Sequence, residues 1–190
     1  MDELAGILKL VASALDRLGI PYAIGGSVAS SVRGVMRATY DIDIVAGMGP
    51  EMAPQLADAL GPEWYADPEQ MHSALLAGRP FNVIYVPAAY KVDIFPATEP
   101  FHLTEIERAT LADFAPGVSV PVASPEDCLL AKLCWYRDGG EISDRQWSDI
   151  SGIVATSPAL DRPHLELWAA RLGVTSLLEK ALAAGPEAAR

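Results

Sequence analysis

The chain has 190 residues, 51% of them apolar, and a formal net charge of −11. That is enough for one good core with a small appended lobe, and it excludes a disordered chain. The acidic balance argues against a broad nucleic-acid surface, and no apolar run reaches the 18 residues that a membrane span needs.

The start, Met1-Asp2-Glu3-Leu4, lacks the basic residues of a signal peptide, so a cytoplasmic location is expected. Leu4, Ile7, Leu8, Val11, Leu15 and Leu18 recur at helical spacing and predict an amphipathic helix over 3–18, stopped by Gly19. Pro21 then opens a short apolar strand over 22–25. Gly25-Gly26-Ser27 follows at once, and a small-residue segment from Val28 predicts a helix that ends by Gly34. Arg33, Arg37 and Thr39 lie in the approach to the next strand, 41–46.

That strand begins Asp41-Ile42-Asp43-Ile44. Acidic and apolar residues alternate with the strand period, so both carboxylates point to one face and both isoleucines to the other. Two carboxylates about 7 Å apart on one face repel each other and are costly to bury unpaired. A hard cation explains them, because oxygen ligands at this spacing can share Mg²⁺ or bridge two metal ions. Upstream, the glycine turn bares backbone N–H groups at a helix start, where phosphate oxygens bind with help from the Ser27 hydroxyl. A metal beside a phosphate cradle implies a nucleoside triphosphate.

Residues 51–60 predict a helix closed by Gly61-Pro62. Asp67-Pro68-Glu69-Gln70 is a cap, a first-turn proline and an acidic start, so a short helix runs to about Ala77. Phe81–Val86 and Tyr90–Phe95, each bounded by proline, predict a hairpin whose second strand carries Asp93. The stretch 98–121 is harder to read. His102 there is expected to be a partly exposed connecting residue, and 118–122 to be a short strand. Ser124-Pro125-Glu126-Asp127 is a strong helix start, with Ser124 as cap and Asp127 returning a bond. The helix runs to about Arg137 and holds Lys132. Cys128 and Cys134 lie on different faces of it and read as buried thiols in a reducing compartment. Ser143 caps a further helix bearing Asp144, Arg145 and Asp149. Residues 161–183 predict one or two helices with Trp168 and leucines in the core. His72, His102 and His164 have no metal-ligand spacing.

Gly26-Ser27, then Asp41-Ile42-Asp43-Ile44, then Asp93 on a later strand resembles the polymerase-β-like nucleotidyltransferase superfamily. The resemblance covers residues 20–95. It implies an α/β (α+β) fold: a small mixed sheet of about four to five strands flanked by helices, with a C-terminal helical lobe. The expected division is a nucleotidyltransferase core over 1–121 and a helical part over 122–190. The resemblance also implies that Gly25, Gly26 and Ser27 hold the triphosphate, and that Asp41, Asp43 and Asp93 bind two Mg²⁺ ions and act in catalysis. Arg37-Ala38-Thr39 matches an Arg-x-Thr of the family, giving Arg37 either a phosphate-fixing role or that of a solvated loop residue. The Ser-Pro-Glu-Asp helix, with its lysine and the acidic helix after it, resembles small abortive-infection toxin nucleotidyltransferases. There Lys132 and one aspartate, Asp144 or Asp149, would enter the cleft; the alternative is a surface lysine with Arg145 and Asp149 as a solvated pair.

The implied reaction moves a nucleoside monophosphate from a nucleoside triphosphate such as ATP to a hydroxyl of an acceptor. Aminoglycoside-type enzymes point to a small molecule, which the acidic balance favours. Toxin-type enzymes, which the short chain and the Ser-Pro-Glu-Asp helix favour, point to RNA or protein, and to a homodimer or an antitoxin-like partner. The alternative is a non-catalytic nucleotide-binding or interaction module on the same fold.

Overall fold

A computed structural model describes residues 2–32 and 41–184. In chain order the elements are α1 (Asp2–Arg17), β1 (Tyr22–Ile24), α2 (Gly26–Val32), β2 (Asp41–Ala46), α3 (Ala53–Leu60), β3 (Trp64–Tyr65), α4 (Pro68–Leu76), β4 (Phe81–Tyr85), β5 (Tyr90–Pro96), α5 (Pro100–Arg108), β6 (Thr110–Ala115), β7 (Val118–Val122), α6 (Pro125–Asp138), α7 (Asp144–Thr156), α8 (Arg162–Leu172) and α9 (Thr175–Ala184). The described residues divide into two compact units, 2–32 with 41–123, and 124–184.

The first unit is built on one mixed seven-stranded sheet in the order β3-β4-β5-β2-β1-β7-β6. The expected four to five strands were too few. The two that escaped are β3, only two residues long, and β6, whose run Thr-Leu-Ala-Asp-Phe-Ala lacks alternation of apolar and polar residues. The stretch 98–121 also contains a helix, α5, entered through Pro100 and anchored by buried Phe101. His102 lies on that helix rather than in a connection, and burial holds its pKa below the ordinary histidine value.

The centre of the sheet is apolar. Ile42 and Ile44 of β2, Val92 and Ile94 of β5, and Val83 of β4 are fully buried on one face. α1 lays Ile7, Leu8, Val11 and Leu15 into the same unit's core, all at most 2% exposed. It ends at Gly19, whose φ of +64° lets the chain turn toward β1. Asp67 caps α4 by accepting from the N–H groups of Glu69 and Gln70. Tyr22, the first residue of β1, is buried and hydrogen-bonds Asp16 near the end of α1.

In the second unit α6 packs against α7, α8 and α9. Ser124 caps α6: its hydroxyl accepts from the Asp127 N–H at 3.1 Å and donates to the Asp127 carboxylate at 2.6 Å. The other Asp127 oxygen meets His164 Nε2 of α8 at 2.7 Å, so the cap also fastens α8. Glu126 accepts from the Asp161 N–H, which starts α8. Tyr136 and Trp147 stack at 5.2 Å, and Lys180 of α9 lies 4.4 Å over the Trp147 ring. Cys128 is buried as expected, whereas Cys134 is partly exposed.

The Tyr22 phenol is raised above its ordinary value of 10.0, first by burial and then by the Asp16 charge and hydrogen bond. The folded chain therefore keeps this proton at a pH where the unfolded chain loses it. Stability from this residue is fully present below about pH 10 and falls as pH rises further. Denaturant titrations from pH 8 to 11 should show that decline, and Tyr22→Phe should make it shallower.

Candidate active site

β2 and β5 are parallel, and their register sets Asp41 beside Lys91 and Asp43 beside Asp93. Because side chains alternate along each strand, all four lie on the sheet face opposite Ile42, Ile44, Val92 and Ile94. Asn82 of β4, paired with Asp93, belongs to the same face. The hairpin of β4 and β5 thus places Asp93 one strand away from the Asp41–Asp43 pair. All three aspartates are neither buried nor fully exposed.

Gly25 and Gly26 join β1 to α2 at the side of this face. The Gly25 N–H donates to the Asp43 carbonyl at 2.9 Å, which extends the β1–β2 ladder into the turn. Gly26 has a φ of +58°. A Cβ on it would lie 1.8 Å from Asp43 Oδ2 and 2.7 Å from its Cγ. Two separate constraints therefore require glycine here: the left-handed backbone, and a carboxylate pressed against the turn. Ser27 follows on the first turn of α2. Gly25, Gly26, Ser27, Asp41, Asp43 and Asp93 are thus gathered around adjoining strands. Arg37 lies outside the described residues, as do Arg33 and Thr39.

Lys91 was not singled out from the sequence. Its Nζ lies 2.5 Å from Asp93 Oδ2, with its side chain about half exposed. The hydrogen bond to Asp93 raises its pKa; burial opposes this, and the charges of Asp93, Asp41 and Asp43 add to it. The signal was present in Lys91-Val92-Asp93, where strand alternation puts the cation and the acid on one face. Tyr90 also answers to this cluster. Burial first, then the charges of Asp41 and Asp43, push its phenol up to about 12.

The donor chemistry suits a hard divalent cation: oxygens alone, on one face, with a net negative field. The ammonium of Lys91 already stands there as a cation. Among the described residues no three His, Cys, Asp or Glu side chains close into one metal-holding group.

Lys132 belongs to the second unit. It is buried on α6 and donates to Asp149 Oδ2 at 3.0 Å. The sequence left open whether Asp144 or Asp149 enters a cleft with Lys132; Asp149 pairs with Lys132, while Asp144 is exposed at the start of α7. Asp149 is thus engaged by the buried lysine of the neighbouring helix.

No protein-family model and no curated protein sequence matches the chain. Solved structures do. The solution structure of the antibiotic-resistance factor ANT(2'')-Ia superposes with a TM-score of 0.58 at 19% identity, over 94% of this chain and 96% of that one. The crystal structure of ANT(2'')-Ia in complex with adenylyl-2''-tobramycin gives 0.55 at 16% identity, over 90% and 97%. An antigenic nucleotidyltransferase-like protein from Paracoccidioides brasiliensis gives 0.55 at 22% identity, over 97% and 94%. The fold is that of nucleotidyltransferases.

The turn makes a stability prediction. Gly26→Ala should cost about 1–3 kcal/mol from backbone strain, plus a similar amount from overpacking against Asp43, measured by denaturant unfolding. In an Asp43→Ala background the second part should vanish and the first remain. In the second unit, Asp149→Asn removes one partner of a largely buried pair and should cost about 3 kcal/mol. Replacing the pair together, Lys132→Met with Asp149→Leu, should cost less.

Proposed function

We propose that this chain is a divalent-metal-dependent nucleotidyltransferase that moves a nucleoside monophosphate from a nucleoside triphosphate to a hydroxyl of a small cationic acceptor. The observation that carries the reading is the in-register pairing of β2 with β5. It sets Asp43 beside Asp93, with Asp41 one pleat away, and the Gly26–Ser27 turn closes against Asp43.

The roles follow from position. The Gly26 backbone and the Ser27 hydroxyl meet the triphosphate oxygens, while Gly25, whose N–H is given to the Asp43 carbonyl, fixes the turn to β2 instead of the phosphate role expected from the sequence. Asp41 and Asp43 would hold Mg²⁺, with Asp93 joining them for a second ion. Bound there, such ions would neutralise the phosphates and lower the pKa of the acceptor hydroxyl. The acceptor oxygen forms its bond to the α-phosphorus as the bond to the bridging oxygen breaks, and pyrophosphate leaves with that electron pair. Asp93 receives the acceptor proton. Alignment of the two oxygens and electrostatic stabilisation supply most of the acceleration. Lys132, which Asp149 already neutralises, is the lesser catalytic candidate.

Two facts support a cationic small acceptor. The chain carries a net charge of −11, and a structure of similar fold holds adenylyl-2''-tobramycin. Tobramycin is a polyamine sugar, and an acidic surface attracts such a molecule and repels a polyanion.

The test is incubation with Mg²⁺, α-labelled ATP and a panel of aminated sugars. Label should move to one or more of them, with pyrophosphate released in equal amount. Asp41→Asn and Asp43→Asn should abolish transfer. Binding of a triphosphate without transfer to any acceptor, including those in a cell extract, would favour a non-catalytic nucleotide-binding module instead.

Two further outcomes are expected. Calorimetry should show triphosphate binding much tighter with Mg²⁺ than without it. Ser27→Ala should weaken that binding by about ten- to a hundredfold, the worth of a hydrogen bond to a charged oxygen, with little change in stability.

A further inference from the structure

We propose that Lys91 is a built-in counter-ion that holds Asp93 back from cation coordination, so that the third carboxylate is recruited only when a divalent cation displaces the ammonium. The proposal rests on the nucleotidyltransferase reading of the same face and adds a residue to it.

Three observations carry it. Lys91 Nζ lies 2.5 Å from Asp93 Oδ2, within charge-assisted hydrogen-bond distance. The β2–β5 register puts Lys91 directly beside Asp41, so the lysine and the three aspartates share one sheet face. Asp41, Asp43 and Asp93 share one face, so a cation that draws on all three must compete with the ammonium that Asp93 holds.

The chemistry decides which cation wins. An ammonium has three N–H donors but carries only one charge. A divalent ion carries two and gains phosphate oxygens as further ligands when a triphosphate is present. The exchange is therefore favoured when nucleotide and metal arrive together and resisted for metal alone. The half-exposed Lys91 side chain has solvent to swing into. Lys91 is thus a positioning residue: it acts through Asp93.

The test reads cation binding, not turnover. Mn²⁺ affinity is measured by electron paramagnetic resonance on the whole chain, with and without a non-hydrolysable triphosphate. Wild type, Lys91→Met, Lys91→Arg, Asp93→Asn and the Lys91→Met/Asp93→Asn double variant are compared. Lys91→Met should tighten Mn²⁺ by about fivefold or more, most clearly without the nucleotide. Lys91→Arg, which keeps the pair, should bind no tighter than wild type. In the Asp93→Asn background the gain from Lys91→Met should largely disappear. Equal affinity of wild type and Lys91→Met, with binding intact, overturns this inference alone. So does a gain that survives in full without Asp93, because Lys91 would then act as a general charge. No Mn²⁺ binding by wild type, even with the triphosphate, overturns the nucleotidyltransferase reading together with it.

Discussion

Like charges on one sheet face are the constraint that the first unit is built to withstand. Asp41, Asp43 and Asp93 are neighbours through the β2–β5 register. Unit charges about 6 Å apart near a protein surface repel by roughly 3 kcal/mol per pair at an effective dielectric of 20. What opposes this lies on the reverse of the same strands. Ile42, Ile44, Val92 and Ile94 are fully buried there, each worth about 1.5–3 kcal/mol of burial. Lys91 reduces the repulsion from the charged side. Apolar burial and ionic repulsion are of similar size, so one alternating sequence per strand serves both the core and the site.

The glycine turn is tied to that strand geometry. Asp43 meets the turn twice: its carbonyl accepts from the Gly25 N–H, and its carboxylate occupies the space that a Gly26 side chain would need. A shift of β2 would therefore move the turn with it. In the functional reading, the groups that meet phosphate and those that meet metal are not independently placed. They share one residue, and their spacing is as rigid as the β1–β2 pair.

Much of this was legible in the residues. Caps announced three helices because their side chains must answer exposed N–H groups: Asp67, Ser124 and Ser143 all accept the expected bonds. The alternation in Asp41–Ile44 announced one strand and which of its side chains share a face, and bounding prolines announced the hairpin that carries Asp93. Other features depend on partners distant in sequence. Strand order is set by which edges meet, and no local period encodes it. β6 escaped because it lacks alternation, and β3 because two residues carry no period. Lys91 went unremarked because only the face that it shares with Asp93 gives it a partner. Lys132 and Asp149 are 17 positions apart on different helices, and only packing brings them to 3.0 Å.

The outermost strand has a bearing on how this chain meets copies of itself. β6 is the last strand in the sheet order, and its exposed Leu111 is an adhesive feature. An edge of this kind is a template on which a second chain can add a strand. Here the pairing with β7 slips between Asp113 and Ala115. Such an irregularity twists the strand and interrupts a straight run of donors and acceptors. Asp113 adds a charge at the same place. An incoming strand would find only the four residues Thr110–Asp113 before the break. That guard against strand addition lies far along the chain from the Asp41–Asp43 strand, on the very strand whose lack of pattern hid it.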